Sequence, residues 1–117
     1  MRIYLSGQMT GIDQLNFPAF DKARDKLKGW GHDVVSPADL ERNRSVMTYE
    51  EALKDDLKYM LTCDTIYMLK GWENSNGARL EKMVAQSLSM RVMYEPTASR
   101  YLLLILKVGE ELCVPKT

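Results

Sequence analysis

The chain has 117 residues, 16 basic against 16 acidic, and 45% apolar side chains. That length suits one domain with a core burying roughly 65% of the unfolded surface, and the apolar share excludes a disordered chain. The cancelled charge, with no basic stripe or aromatic-interleaved patch, excludes a nucleic-acid polymer as partner, although a small nucleotide can still be held by backbone N–H groups.

Taken in chain order, residues 3–6 read as a short apolar strand ending in Gly7, and Gly11 closes the loop after it. Asn16 is positioned to cap a helix with Pro18 in its first turn. Phe17, Phe20, Ala23, Leu27 and Trp30 follow helical spacing, and Gly29 and Gly31 end that element. A second strand covers residues 32–36 and stops at Pro37. Residues 38–47 read as a polar, irregular loop long enough to lie over a site. Thr48 and Glu51 form a capping box. The helix they start carries one stripe of Tyr49, Ala52, Leu53, Asp56, Leu57 and Met60, with neighbouring Asp55 expected to face solvent. A third strand spans 65–69, a third helix about 77–90 and a fourth strand 91–94. Pro96 breaks the chain, and residues 101–112 fit a helix somewhat better than a strand. Strands alternating with helices predict a parallel sheet with helices on both faces.

Cys63 and Cys113 show no CxxC or Cys/His pattern and read as reduced thiols of a cytoplasmic protein. His32 stands alone, so no metal site and no cofactor is expected. Residues 1–5 run straight into a strand without a signal peptide, and the longest apolar run, 101–106, is too short to cross a membrane. The expectation is one domain over residues 1–117, with 97–117 a C-terminal tail of open structure.

Three features carry chemistry. The loop Ser6, Gly7, Gln8, Met9, Thr10 and Gly11 lacks the GxGxxG and GxxxxGK[ST] spacings, so it is either a tight connection or a phosphate cradle. Asp56 interrupts an apolar stripe, where a carboxylate has to be paired, hydrogen-bonded or protonated. It either bonds a loop backbone or projects over the strand ends toward a ligand hydroxyl. Glu81 follows the third strand and the Gly-containing loop Asn74-Ser75-Asn76-Gly77. In an open α/β sheet the ligand crevice lies at the carboxyl ends of the strands, so Glu81 is either a first-turn charge favoured by the helix dipole or a catalytic group. Met83, Val84 and Leu88 read as core contacts, and Trp72 as either a stacking surface or a loop filler.

Together these residues resemble the nucleoside 2-deoxyribosyltransferase superfamily, and within it the 2'-deoxynucleoside 5'-phosphate N-hydrolases and a related small bacterial and phage domain of unassigned function. The resemblance covers about residues 2–95. Its blocks are Ile3-Tyr4-Leu5-Ser6-Gly7-Gln8-Met9-Thr10-Gly11, then Asp56-Leu57 followed by Asp64, then Ser75-x-Gly77-x-x-x-Glu81.

The resemblance implies a Rossmann-like (flavodoxin-like) three-layer α/β sandwich with a parallel sheet of four or five strands. It implies cleavage of the N-glycosidic bond of a (deoxy)nucleoside or its 5'-monophosphate, with Glu81, Asp56 and Tyr4 as catalytic residues. Ser6, Gly7, Gln8, Met9, Thr10, Gly11, Ser75 and Gly77 would bind substrate. Ser75 matches the nucleotide hydrolases, whereas Thr10 stands where they carry Arg, leaving 5'-phosphate recognition open. Base transfer between nucleosides and a non-catalytic nucleotide-binding protein are the alternative functions. A homodimer is expected from the resemblance and from the apolar supply near the third helix and tail, including Leu88, Met90, Tyr101, Leu102 and Leu103.

Overall fold

Two strands at the centre of the molecule are buried along nearly their whole length, which is what a parallel sheet covered on both faces requires of its sequence. In the computed structural model, which describes residues 1–96, these are β1 (Arg2–Ser6) and β3 (Thr65–Met68). They are flanked by β2 (Asp33–Val35) and β4 (Arg91–Tyr94) in the order β2-β1-β3-β4, and every pairing is parallel. The four-strand parallel sheet with helices on both faces is the α/β Rossmann-like sandwich expected from the sequence. Residues 97–117, with Cys113, the helix proposed over 101–112 and the tail's apolar residues, lie outside the described region.

The pleat divides the core in two, because successive strand side chains point to opposite faces. Ile3 and Leu5 share one face with Val34, Tyr67, Leu69 and Met93, packed under Phe20, Ala23 and Leu27 of α1 (Phe17–Gly29). Tyr4, Ile66 and Met68 share the other face with Met60 of α3 (Tyr49–Met60) and Ala78 and Ala85 of α4 (Asn76–Ser87). Helix α3 begins at the expected capping box: Thr48 Oγ1 accepts from Glu51 N–H at 3.1 Å, and Glu51 Oε1 accepts from Thr48 N–H at 2.8 Å.

Several local expectations are corrected. Residues 38–47 are not a continuous loop, since Pro37–Asn43 forms a helix, α2. Ser36 caps it by accepting from Ala38 N–H, and Pro37 sits in its first turn, where no N–H is required. Arg24 and Arg42 bridge Asp21 of α1 and Asp39 of α2, which accounts for the polarity of that segment. Asn16 precedes α1 but does not cap it with its side chain. It follows Gln14 and Leu15 in a run of positive φ, and its amide donates to the Gln8 carbonyl at 2.9 Å. Met83 and Leu88 are exposed rather than in the core, while Val84 packs against it.

Gly7 is required by crowding rather than by dihedral angle: a Cβ there would stand 3.0 Å from Leu69 Cβ and 3.2 Å from Leu69 Cδ1. Gly7→Ala is expected to cost about 1–3 kcal/mol through overpacking, several degrees in Tm. Gly29→Ala, with nothing within 4 Å of the added carbon, is expected to be neutral or stabilising by up to about 0.5–1 kcal/mol. Calorimetry of both variants checks this; a Gly7→Ala protein as stable as wild type would remove the steric constraint.

Candidate active site

The order β2-β1-β3-β4 reverses direction between β1 and β3, and a crevice is expected outside the carboxyl ends of strands at such a point. A cavity of about 650 Å³ lies there. Gly7, Gln8, Met9 and Thr10 wall it on the β1 side, Asn74, Ser75, Asn76 and Gly77 on the β3 side. Ala52, Leu53 and Asp56 of α3, Glu41 of α2 and Arg44 add a third wall, and Glu81 reaches it from α4.

The α3 stripe therefore has a purpose the periodicity alone did not distinguish. Its last residue, Met60, is buried in the core, whereas Tyr49, Ala52, Leu53 and Asp56 line the cavity. Gly77 lets α3 and α4 approach closely, since the Tyr49 hydroxyl is 3.4 Å from where a Cβ would stand. Ser75 caps α4 by accepting from Ala78 N–H at 3.1 Å.

Glu81 is only 5% exposed. Helix α4 starts at Asn76, so Glu81 lies in its second turn and not in the first; the helix-dipole explanation of this acid falls away, because that effect fades beyond the first turn. The pleat supplies its partners instead. Tyr4 and Ser6, two apart on β1, face the same side, and both donate to it: Tyr4 Oη to Oε2 at 2.7 Å and Ser6 Oγ to Oε1 at 2.6 Å. Burial drives the Glu81 carboxyl up to about 7; the hydrogen bonds from Ser6 and Tyr4 work against that rise and the charge of Asp56 adds to it. Tyr4 is itself pushed well above the ordinary phenol range, first by burial and then by Glu81, so it remains a donor.

Asp56 is raised to about 6 by burial, against the pull of Arg44. Arg44 Nη1 donates to Asp56 Oδ1 and to Asp55 Oδ2, each at 2.8 Å, and Nη2 donates to Glu41 Oε2 at 2.7 Å. Asp55 was expected to face solvent; it is instead 24% exposed at its side chain and shares the guanidinium with Asp56 at 14%.

Of the residues expected to bind substrate, Gly7, Gln8, Met9, Thr10, Ser75 and Gly77 line the cavity, while Ser6 and Gly11 do not. Ser6 is buried and committed to Glu81. Trp72 is off the cavity wall: it pairs with Tyr94, ring centroids 6.1 Å apart, beneath Lys82. Arg79 does not line the cavity; it donates to the Glu73 carbonyl and to the Asn76 side chain at the surface. Arg44 and Glu41 were missed by sequence reasoning. Their signal was present, in a Ser-Pro helix start at residues 36–37 and an acid near the end of that helix followed three positions later by an Arg at its C-terminal boundary. Among the described residues no cluster of His, Cys, Asp or Glu is arranged to hold a metal ion, and no helix is long and apolar enough to cross a membrane.

The same fold occurs in a 2-deoxyribosyltransferase from the psychrotolerant bacterium Bacillus psychrosaccharolyticus, at a TM-score of 0.64 and 23% identity over 80% of this chain and 71% of that one. The family described as "Domain of unknown function (DUF4406)" matches residues 1–94, and the chain belongs to it. No curated protein matches the sequence.

A carboxyl raised in the folded protein is protonated more readily there than in the unfolded chain, so its contribution to stability is complete below about 4.5 and falls as pH rises toward about 7. Glu81→Gln removes this penalty. Its stability relative to wild type should grow between pH 5 and pH 8 by something on the order of 3 kcal/mol at most, read by urea denaturation at both values. A difference independent of pH would mean that Glu81 is ionised in the fold without cost.

Proposed function

We propose that this protein cleaves the N-glycosidic bond of a nucleoside, with Glu81 as the nucleophile. The observation that carries the reading is a buried carboxylate, held by two hydroxyls, on the wall of a cavity large enough for a nucleoside. The shared fold with a 2-deoxyribosyltransferase supports the same chemistry.

N-glycosidic cleavage passes through an oxocarbenium-like state, which a carboxylate beside the anomeric carbon stabilises. Glu81 attacks that carbon while the bond to the base breaks and its electron pair leaves on the base nitrogen, which takes a proton from water. Water then hydrolyses the glycosyl ester, releasing the sugar and restoring the carboxylate. Tyr4 and Ser6 fix the rotation of Glu81 and do not reach the sugar, since neither lines the cavity. Asp56 accepts from a sugar hydroxyl, and Gly7, Gln8, Met9 and Thr10 enclose the 5' end.

Charge favours an uncharged nucleoside over its 5'-monophosphate. Glu41, Asp56 and Glu81 line the cavity, and Arg44, the one cationic side chain on its wall among the described residues, is engaged by acids. Incubation with a panel of nucleosides and monophosphates, followed by chromatography for free base, tests the reading; adding a second free base separates hydrolysis from transfer. Base release is expected, strongest from nucleosides, and abolished in Glu81→Ala. Release should rise with pH through about 7 as Glu81 ionises. A folded wild-type protein that binds nucleosides but releases no base from any of them would establish the non-catalytic alternative, and wild-type rates in Glu81→Ala would refute the role of Glu81.

The reading includes a homodimer. Tyr59 on α3, Leu61 just beyond it, Met83 on α4 and Leu88 just beyond that helix are exposed apolar side chains, of the kind that marks contacts. Light scattering at micromolar concentration should give twice the chain mass; a mass of one chain, unchanged by nucleoside, rules the dimer out.

A further inference from the structure

Arg44 belongs to neither helix beside it. It is the extended residue that ends α2, ahead of Thr48, where α3 is capped. Its side chain is only 11% exposed, and long charged side chains are rarely buried to this degree without partners. The partners come from both sides of the connection: Glu41 from α2 at 2.7 Å, Asp55 and Asp56 from α3 at 2.8 Å each. The Nε nitrogen is buried with no hydrogen-bond partner, the one such side-chain atom among the described residues. A guanidinium that leaves a donor unsatisfied while serving three acids is held for those acids, because an orphaned buried donor costs about 1–3 kcal/mol.

We propose that Arg44 is a positioning residue for this site, which anchors the Asp56 carboxylate through one oxygen to the α2–α3 connection and leaves the other free for a ligand hydroxyl. The structure records a contact to Oδ1 of Asp56 only, and Asp56 lines the cavity. Arg44 thereby acts on the ligand through Asp56, and its own charge is withdrawn from the ligand. This rests on the nucleoside reading for the identity of the hydroxyl, but the clamp itself does not.

Asp55 competes in this arrangement. The same Nη1 serves both aspartates, so removing one acceptor strengthens the hold on the other. Asp56 also feels every charged group packed around it: Glu41 from α2, Arg44, Asp55 on its own helix, Glu81 from α4, and the Tyr4 hydroxyl from β1, which stays neutral. Arg44 is held protonated, with burial opposing and the bonds to Asp56 and Glu41 prevailing. The burial of Asp56 nevertheless outweighs its share of that one cation, which is why its carboxyl sits near 6 instead of below the ordinary range.

The test is a carboxyl-carbon NMR titration of the full chain without ligand, comparing wild type with Arg44→Gln, Arg44→Lys and Asp55→Asn. Arg44→Gln should raise the Asp56 midpoint by at least about one unit, the scale on which a neighbouring opposite charge acts. Asp55→Asn should lower it, and Arg44→Lys should fall between wild type and Arg44→Gln. An arginine that only tied α2 to α3, with no hold on the Asp56 carboxylate, would leave that midpoint unmoved. The proposal is overturned if Arg44→Gln leaves Asp56 unmoved, or if Asp55→Asn shifts it upward; should Arg44→Gln fail to fold, the signs in Arg44→Lys and Asp55→Asn decide alone. Because no substrate is used, absence of base release would defeat the nucleoside reading and leave this result standing.

Discussion

A carboxylate almost removed from water must be given hydrogen bonds or lose its charge, and in this domain both of Glu81's donors come from a single strand. The alternation of β1 sends Ile3 and Leu5 into the core beneath α1, and Tyr4 and Ser6 toward α4. The residues that build one half of the core and those that hold the acid are thus interleaved in the same five-residue strand. Shifting its register by one residue would exchange the two sets, burying hydroxyls against α1 and leaving Glu81 without partners. The parallel pairing of β1 with β3 fixes that register and sets the two site loops side by side.

The second acid is managed differently. Glu81 is satisfied by neutral hydroxyls, while Asp56 shares a guanidinium with two other carboxylates. The outcome is a pair of carboxyls near 7 and near 6 in one cavity, each raised by burial. Separated environments of this kind let two acids take different roles. The arrangement costs stability at neutral pH, as sites that depend on buried charge commonly do.

Much of this architecture was legible in the sequence, for reasons that can be named. The buried strands announce themselves as short apolar runs, and the Thr48–Glu51 box marks its helix because it is a local device with a fixed spacing. Asp56 stands out because it breaks a periodic stripe, and Glu81 because it follows a strand and a Gly-containing loop. Tyr4 enters through the resemblance and Ser6 only as the first residue of the Gly-bracketed loop, although the period of a strand alone puts them on one side. The segment after Pro37 was misread because its polarity arises from a salt-bridge network between α1 and α2, and such tertiary pairing leaves little trace in local pattern. Asp55 was misassigned for the same reason: its partner lies eleven positions earlier, in the connection before α3. The left-handed run at Gln14, Leu15 and Asn16 carries no glycine to signal it.

The account turns on Glu81 meeting the anomeric carbon directly. The most direct measurement is the mass of the intact protein after incubation with 2'-deoxy-2'-fluoronucleosides, whose electron-withdrawing fluorine slows hydrolysis of a glycosyl ester more than it hinders trapping. The account predicts a gain of one fluorosugar, mapped by peptide digestion to Glu81 and absent in Glu81→Gln. Base release with the sugar attached to another residue, or with no adduct formed at all, would contradict it.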